Sequence, residues 1–348
     1  MTMAGYENHA MRAMVLKAPG ELVFDEVARP VPRTNQVLIR VSHSGVCGTD
    51  LKIYNGAIPV EYPRIMGHEM IGEVVESGGN VTLQPGNRVI VDPELFCGAC
   101  FHCRIGQTHL CPNGKLLGRD TNGGFAEYVT APASHVFRLP DSIDSRTAPL
   151  IQVLTTCLHA QRLTNVFPGE SVVVLGLGVT GQLHVQLAKA RGANPVIGIT
   201  RSPAKGELAR KLGADLTVAR EEGAIEKVLE ATDGRGADLV IESTGVLASL
   251  ATAIAMARFG GRLLLFGIIT ATEGALPFYQ LYFKELALIN ARVAKSEDYP
   301  SSIDLAERGV VRLESLVSNV MPLGELKEAI GMLGSASGQR MKIILEHR

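Results

Sequence analysis

The sequence contains no tryptophan, and aromatic residues make up only 5% of its 348 residues. It also lacks a surplus of either charge, since 34 Lys and Arg face 35 Asp and Glu. Without excess positive charge, there is no electrostatic reason to expect nucleic acid or an anionic membrane as a partner. The scarcity of aromatic side chains argues against a cavity built for a bulky apolar ligand.

Long apolar runs are missing as well, and none approaches the roughly 18 uncharged residues of a membrane-spanning helix. The first residues lack the basic and apolar regions of a signal peptide, and we expect them to form a frayed extension before a strand that begins near Met11. We therefore expect a cytoplasmic protein. Its length fits about two globular domains.

Two kinds of pattern alternate along the chain. Residues 11–150 contain short apolar runs broken by Gly and Pro, which predicts an irregular β-rich domain. Residues 168–290 alternate strand-like and helix-like segments, which is typical of an α/β fold with a doubly wound parallel sheet. We expect a β-rich domain over residues 1–160, completed discontinuously by 292–348, and a Rossmann dinucleotide-binding domain over 161–291.

Four of the six cysteines crowd into one short segment, where Cys97, Cys100, Cys103 and Cys111 have the spacing C-x2-C-x2-C-x7-C. In a chain without a secretion signal, such clustering indicates metal rather than disulfides. Four thiolates satisfy tetrahedral zinc and leave no open position, so the cluster predicts a structural zinc site. An iron–sulfur cluster, a nucleic-acid-binding zinc ribbon and free buried thiols are the alternatives.

A second set of metal-ligand side chains lies in two Gly-rich turns, which contain Cys47 and the pair His68-Glu69. Each residue alone is a weak signal, because a lone Cys or His is more often structural. Together they supply a thiolate, an imidazole and a carboxylate, which is enough for an open, catalytic zinc site. Asp50 is placed to fix the tautomer of His68, and Thr49 supplies a hydroxyl that can relay the substrate proton.

A Gly-rich turn follows a predicted strand and opens a predicted helix. Gly176, Gly178 and Gly181 form G-x-G-x-x-G, with Val179 and Thr180 between the last two glycines. The first Gly permits a tight turn, the second lets the backbone approach a pyrophosphate, and the third allows close packing of helix and strand. The helix N-terminus then stabilises the phosphate charge, so the motif predicts dinucleotide binding.

The end of the next strand indicates which dinucleotide is preferred. An NAD site carries an acid there that binds the ribose 2′-hydroxyl, but the segment from Ile199 to Lys205 contains none. Thr200, Arg201, Ser202 and Lys205 offer donors that suit a 2′-phosphate. We therefore predict NADP(H) in preference to NAD(H). The alternative is that Arg201 is a solvated surface residue and the site is indifferent.

In this order, Cys-Gly-Thr-Asp, Gly-His-Glu, the four-cysteine lobe and the G-x-G-x-x-G turn make the sequence resemble the zinc-containing medium-chain dehydrogenase/reductase family. The resemblance extends from about Met11 to the C-terminus. It implies a GroES-like catalytic domain, a Rossmann domain, and an active site in the cleft between them. It also implies two zinc ions per chain, one catalytic and one structural, and a homodimer or homotetramer.

The resemblance also assigns roles to single residues. It makes Cys47 and His68 ligands of the catalytic zinc, and Glu69 a close or alternating ligand. The third ligand of the family is usually Cys, Glu or Asp, whereas this sequence has Gln152 there. Either Gln152 coordinates the metal, or Glu69 takes its place.

Further positions correspond to cofactor-binding residues of the family. Thr156 matches a threonine that contacts nicotinamide, Arg292 a position that serves cofactor or substrate, and Lys342 a basic residue near the pyrophosphate. Threonine dehydrogenases of the family have His where this sequence has Lys52, which makes that substrate less favoured.

These expectations combine into one function. The protein is expected to be a zinc-dependent oxidoreductase that transfers a hydride between NADP(H) and a secondary alcohol or ketone. Polar side chains favour a polyol or sugar-like substrate; they are Lys52, Tyr54, Glu94, Arg119 and Arg292. The alternatives are an NAD-dependent threonine-type dehydrogenase, a zinc-free reductase of the same fold, which the cysteine lobe and His-Glu pair disfavour, and a non-catalytic cofactor-binding paralogue.

Overall fold

The structure is a computed structural model that describes residues 10–79, 81–219, 223–334 and 340–347. The extension predicted before Met11 falls largely outside these residues, and the first strand begins at Ala10. The chain folds into two compact units. The first unit contains the chain up to Gln152 and two later segments, which begin at Val317 and at Lys342. The second unit extends from Val153 to Leu316.

The first unit begins with a run of strands and short helices. Its strands are β1 (Ala10–Ala18), β2 (Glu21–Ala28), β3 (Gln36–Val46), β4 (Arg64–Ile65), β5 (Glu69–Ser77), β6 (Arg88–Val91), β7 (Glu94–Leu95), β8 (Lys115–Leu116), β9 (Tyr128–Pro132) and β10 (Val136–Arg138). The helices are α1 (Gly48–Tyr54), α2 (Phe101–Arg104) and α3 (Leu150–Thr164), the last of which crosses into the second unit.

The second unit alternates strands and helices, as the sequence predicts. Its strands are β11 (Val172–Leu175), β12 (Val196–Ile199), β13 (Leu216–Val218), β14 (Ala237–Glu242), β15 (Ala257–Leu265) and β16 (Ala287–Asn290). Its helices are α4 (Val179–Ala190), α5 (Pro203–Lys211), α6 (Ala224–Ala231), α7 (Ala248–Met256), α8 (Phe278–Phe283) and α9 (Tyr299–Glu307). Helix α7 is followed directly by β15, which begins at Ala257.

The chain then returns to the first unit through β17 (Val317–Pro322), α10 (Leu326–Gly334) and β18 (Lys342–Glu346). Strand β18 pairs antiparallel with β3 and parallel with β17, so the last part of the chain completes the sheet of the first unit. This sheet has the order β10-β6-β5-β3-β18-β17, with β9 also paired to β3. The predicted discontinuous domain is therefore observed, but its boundaries differ from the prediction.

The segment 292–316 was predicted to lie in the β-rich domain, and the structure places it in the second unit. The reason is a set of buried polar contacts with α3 and α4. The Asp298 carboxylate lies 3.0 Å from His159 Nδ1 and also accepts from Arg162, while Gln186 pairs with the Arg312 backbone. These long-range contacts leave no pattern in the sequence of the segment.

The six-stranded sheet of the second unit has the order β13-β12-β11-β14-β15-β16, and all its neighbours are parallel. This is the doubly wound order in which the direction of winding reverses between β11 and β14. Along β11, Val172 and Val174 pack into one apolar cluster, whereas Val173 and Leu175 pack into another. Both faces of the sheet are therefore covered, which explains the uniformly apolar strands. No helix of the described residues is long and apolar enough to cross a membrane.

Candidate active site

The four cysteines of the lobe lie together in the first unit, with all four Sγ atoms within 4.8 Å of one another. Cys100 Sγ lies 3.4 Å from Cys103 Sγ and 3.8 Å from Cys111 Sγ. Helix α2 begins just after Cys100, and the backbone N–H groups of Ala99 and Cys100 lower the pKa of Cys97 to about 6. A preformed cluster of four sulfur atoms with one readily ionised thiol is suited to tetrahedral zinc.

The second set also converges, since one ligand atom each of Cys47, His68 and Glu69 lies within 4.8 Å of the others. Strand β3 leads into Cys47, which precedes α1, and His68 precedes Glu69 at the start of β5. Because β3 and β5 are paired antiparallel, with Gly45 opposite Glu69, the two Gly-rich turns meet at one end of the sheet. A Cβ on Gly45 would lie 2.1 Å from Glu69 Oε2, so only glycine fits beside this carboxylate.

Asp50 is fully buried and lies next to Cys47 and His68. Its Oδ2 accepts a hydrogen bond of 2.8 Å from the Cys47 N–H, and its Oδ1 lies 3.5 Å from His68 Nδ1. Burial alone lowers the pKa of His68, but the negative charge of Asp50 outweighs that effect and the net pKa lies well above its usual value. Asp50 therefore occupies the orienting position that the sequence predicts for it.

Lys342, which the family resemblance assigns to the pyrophosphate, is buried in the first unit beside Glu69. Its ammonium group is buried in the first unit and lies 2.7 Å from both carboxylate oxygens of Glu69, and it also donates to the Val46 carbonyl. Burial lowers the pKa of Lys342, but the charges of Glu69 and Cys47 raise it by more, so the ammonium form is retained. Lys342 therefore forms a buried ion pair at the candidate zinc site, and its predicted contact with the pyrophosphate stays a prediction.

The structure also describes the other predicted site residues of the first unit. Thr49 is half-buried in the first turn of α1, and Gln152 is half-buried in α3. The Tyr54 hydroxyl donates to the Gly20 carbonyl over 3.0 Å, and the Arg119 guanidinium is paired with Asp120. Tyr54 is therefore engaged in holding the β1–β2 hairpin.

In the second unit, the Gly-rich turn has the predicted strand–turn–helix context. Gly176 has a φ of +89°, Gly178 caps α4, and a Cβ on Gly181 would lie 1.9 Å from the Gly176 carbonyl oxygen. Val179 and Thr180 form the first residues of α4. The Thr180 hydroxyl lies 2.7 Å from the Ser243 hydroxyl, which follows β14 on the other side of the point where the winding reverses.

The end of β12 carries the predicted cofactor-binding donors. Thr200 is buried and its hydroxyl accepts from the Ser202 N–H, Ser202 caps α5, and Arg201 is exposed. Lys205 is half-buried, and its pKa is lowered first by burial and then by the positive charge of Arg340. Arg340 therefore adds a cation to this group.

Thr156 and Arg292 lie elsewhere in the second unit. The Thr156 hydroxyl donates to the Val153 carbonyl within α3, and Arg292 is exposed after the end of β16. Because parallel strands end at the same edge of a sheet, the segment after β16 emerges at the edge that carries the Gly-rich turn.

The contacts that the structure shows for three residues were not predicted from the sequence. The ion pair with Glu69 was signalled by Lys342 itself, a lone cation directly before the apolar run Ile343–Leu345, which indicates a buried counter-charge. Ser243 could have been found from the rule that ligands bind where the winding of the sheet reverses. Arg340 leaves no local signal, because only the fold brings it near Lys205.

Comparisons with known proteins agree with this geometry. Residues 33–141 match the alcohol dehydrogenase GroES-like domain, and residues 179–308 match the zinc-binding dehydrogenase model. A sorbitol dehydrogenase from Halalkalibacterium halodurans is 33% identical over 94% of this chain and 96% of its own. An L-threonine 3-dehydrogenase from Pyrococcus horikoshii is 39% identical over 74% of this chain and 76% of its own.

Among solved structures, a zinc-binding dehydrogenase from Sinorhizobium meliloti bound to NADP superposes with a TM-score of 0.92. It is 31% identical, and the match covers 97% of this chain and 99% of that one. Full-length similarity at this level, together with the GroES-like and Rossmann units, means that the chain belongs to the zinc-containing medium-chain dehydrogenase/reductase family and is an oxidoreductase.

Proposed function

We propose that the protein is a zinc-dependent dehydrogenase that transfers a hydride between NADP(H) and a secondary alcohol or ketone of the polyol or sugar class. The observation that carries this proposal is the convergence of Cys47, His68 and Glu69 within 4.8 Å, in the unit whose separate four-cysteine lobe leaves this set free for catalysis. A set with three protein ligands keeps a position open for substrate.

The donor set fits zinc, because a thiolate, an imidazole and a carboxylate or amide are its usual ligands. Cys47 and His68 would hold the ion, with Glu69 or Gln152 as the third ligand. The pairing of Glu69 with Lys342 does not prevent this, since each carboxylate oxygen has two lone pairs. When bound, zinc would act as a Lewis acid on the substrate oxygen.

The chain's own residues would carry out the remaining steps. Asp50 Oδ1 lies 3.5 Å from His68 Nδ1 and would orient the imidazole, so that Nε2 is left for the metal. Thr49 lies two residues after Cys47, in the first turn of α1, and its hydroxyl would accept the proton of the substrate hydroxyl while it passes its own proton on towards solvent. The Gly178 end of α4 would hold the pyrophosphate of a nicotinamide cofactor, which would supply the hydride-transfer chemistry.

The preference for NADP(H) is supported by the charge at the end of β12. Arg201, Lys205 and Arg340 are cationic, and no acid occurs between Ile199 and Lys205. A carboxylate that would bind a free ribose hydroxyl is absent from that segment, whereas a 2′-phosphate would find charge-assisted donors. The NADP-bound relative is similar in fold and sequence, which further supports this assignment.

One experiment tests both cofactor and metal. We expect about two zinc ions per purified chain by inductively coupled plasma mass spectrometry, and tighter binding of NADPH than NADH by fluorescence titration. Arg201→Gln should weaken NADPH binding by about 10–100-fold and leave NADH unchanged, because hydrogen bonds to charged groups contribute about 1.5–3 kcal/mol. Arg210→Gln, an exposed arginine near the far end of the helix that follows, serves as the matched control.

Activity assays then distinguish the function from its rivals. We expect oxidation of polyols with NADP and reduction of ketoses with NADPH. Oxidation of L-threonine with NAD would favour the threonine-type alternative, which the similarity to the Pyrococcus horikoshii enzyme supports and Lys52 opposes. Cofactor binding without turnover of any alcohol, in a protein with one zinc per chain, would indicate a non-catalytic paralogue.

We also propose that the protein is a cytoplasmic homodimer or homotetramer. Helix α8 has no charged residue and exposes Phe278, Tyr279, Tyr282 and Phe283 by 54–83%. The neighbouring edge strand β16 has no Lys or Pro to block pairing, and it exposes Leu288. An uncharged apolar surface beside a free edge suits a second copy of the same surface. Tyr282→Asp should therefore shift the mass measured by light scattering towards the monomer, and an unchanged mass would contradict this surface.

A further inference from the structure

A cleft of about 710 Å³ in the first unit carries a concentration of cations that the proposed reaction does not use. Its walls include Arg64, Lys115 and Arg119, together with Glu61 and Asp120. The volume lies within the usual range of small-molecule sites. Such a cleft is large enough for the end of a substrate.

Arg64 is the central feature of this cleft, because it is only 8% exposed and incompletely paired. Its Nε has no hydrogen-bond partner among the described residues. Its Nη2 lies 3.7 Å from a carboxylate oxygen of Glu61, which is beyond hydrogen-bonding distance, and the Glu61 side chain is 95% exposed. A buried cation that its neighbours compensate only in part is stabilised further when an anion binds to its free donors.

The other acid of the cleft is already occupied. Asp120 accepts hydrogen bonds from Arg119 through both oxygens and from the Leu116 N–H over 2.7 Å. The structure gives no hydrogen bond between Asp120 and Arg64, although the charge of Arg64 contributes to lowering the pKa of Asp120, after the larger effects of burial, which raises it, and of Arg119. Lys115 is exposed at the rim. The cleft thus has a net positive lining, and the donors of Arg64 are left for another anion.

Both walls of the cleft are attached to the turn that carries His68. Arg64 lies in β4, and the chain continues from this strand through Gly67 to His68. The segment that contains Arg119 packs on the same turn, since a Cβ on Gly118 would lie 2.6 Å from the Gly67 carbonyl oxygen. The Gly124 N–H also donates to that oxygen over 2.9 Å. The cationic cleft therefore adjoins the polypeptide turn that positions a candidate zinc ligand.

From these contacts we infer that the cleft binds the anionic end, a phosphate or a carboxylate, of a polyol or sugar-acid substrate whose reacting hydroxyl lies at Cys47 and His68. This inference rests on the proposed function and narrows its substrate class. Arg64 provides the buried charge, while Lys115 and Arg119 provide electrostatic attraction at the rim. A neutral polyol would add no counter-charge to Arg64, whose only nearby acids are the exposed Glu61 and the already hydrogen-bonded Asp120 among the residues that line the cleft, and this favours the charged substrate.

The test compares sorbitol with two anions, sorbitol 6-phosphate and gluconate, each of which carries a charged group at one terminal carbon. We expect kcat/KM for one of the two anions to exceed that for sorbitol, and the preferred anion identifies the group that the cleft binds. In Arg64→Gln, the ratio of kcat/KM for that anion to kcat/KM for sorbitol should fall by about 10–100-fold, mainly through KM. Lys115→Gln, at an exposed position, should lower the same ratio by a smaller factor without a risk of misfolding.

The matched control is Arg104→Gln, an exposed arginine of the same unit that does not line the cleft; it should leave the ratio unchanged. An equal loss of activity on all three substrates in Arg64→Gln, with no effect of Lys115→Gln, would show that Arg64 is structural and would overturn the inference.

Binding of inorganic phosphate, measured by isothermal titration calorimetry without turnover, separates this inference from the proposed function. We expect binding that Arg64→Gln removes and that Arg201→Gln preserves, since Arg201 belongs to the cofactor group of the other unit. Such binding in a protein that oxidises no alcohol would uphold the anion site and refute the dehydrogenase proposal. If the protein oxidises sorbitol, but neither the kcat/KM ratio nor phosphate binding depends on Arg64 or Lys115, the dehydrogenase proposal would stand and the anion site would be refuted.

Discussion

The two candidate zinc sites of the first unit are assembled in opposite ways. The cysteine lobe takes all its ligands from one short segment, in which Cys97 and Cys111 are 14 residues apart. Within it, the Cys97 N–H donates to Cys111 Sγ and the Cys103 N–H donates to Cys100 Sγ. The second site draws on two turns and on a strand that arrives 273 residues after Glu69. A local site needs only a short loop, whereas the open site depends on the whole sheet of the unit.

The two sites also differ in the charged side chains that surround them. No cationic side chain bonds to the lobe among the residues that the structure describes, so a metal ion would be the counter-charge of its thiolates. The open site is framed by a buried acid, Asp50, and a buried cation, Lys342. We infer that the lobe has a stabilising role, and that the open site is tuned by its neighbours. The following variants test this contrast.

The largest effect is expected from Cys47→Ser. Loss of a ligand should abolish measurable turnover, by more than the roughly 10–100-fold that loss of an outer partner costs. Zinc content should fall by about one ion per chain, while the lobe keeps its own. Cys157→Ala, which removes a buried cysteine outside both sets, is the control and should retain zinc and activity. Unchanged turnover in Cys47→Ser would place the chemistry elsewhere.

Next in size is Lys342→Gln, which leaves the buried carboxylate of Glu69 without its partner. Breaking a buried ion pair in this way typically costs about 3–5 kcal/mol, and we expect a loss of that order in urea unfolding. The double variant with Glu69→Gln should recover part of the stability. If Lys342 bound the pyrophosphate instead, NADPH affinity would fall and stability would change little.

Cys111→Ser tests the lobe in the same manner. Removal of one of four thiolates should release the structural zinc and lower the melting temperature by about 5–10 °C, a shift that corresponds to about 2–3 kcal/mol in a domain of this size. Because the lobe is local, kcat at low temperature should change little. A large loss of kcat without a change in melting temperature would contradict the division of roles.

The smallest effect is expected from Asp50→Asn, which keeps the shape of the side chain but removes its charge. Outer partners of metal-bound histidines contribute about 10–100-fold to affinity or activity, so zinc at the open site should bind that much more weakly in competition with a chelator. The lobe should hold its zinc unchanged in the same titration. Equal weakening at both sites would indicate a general loss of structure.

Sequence reasoning succeeded where structure is local. The spacing of Cys97 to Cys111 and the turn from Gly176 to Gly181 state their geometry within a few residues, and the alternation of strands and helices predicted the parallel sheet. It failed where contacts are long-range. The pairing of Lys342 with Glu69 and the inclusion of residues 292–316 in the second unit depend on which elements meet in three dimensions. No short sequence pattern encodes such long-range contacts.

The position of Lys342 also has a consequence for biosynthesis. Translation proceeds at roughly 5–20 residues per second, so the ribosome needs about 15–55 seconds to synthesise the 273 residues that separate Glu69 from its cation. During that time the nascent first unit carries a carboxylate destined for burial but has no counter-charge, and β3 lacks its neighbour β18. The four cysteines of the lobe are synthesised together, whereas the set of Cys47, His68 and Glu69 lacks Lys342 until the second unit has emerged. Under the proposed function, the lobe would therefore be able to bind its metal before the open site is complete.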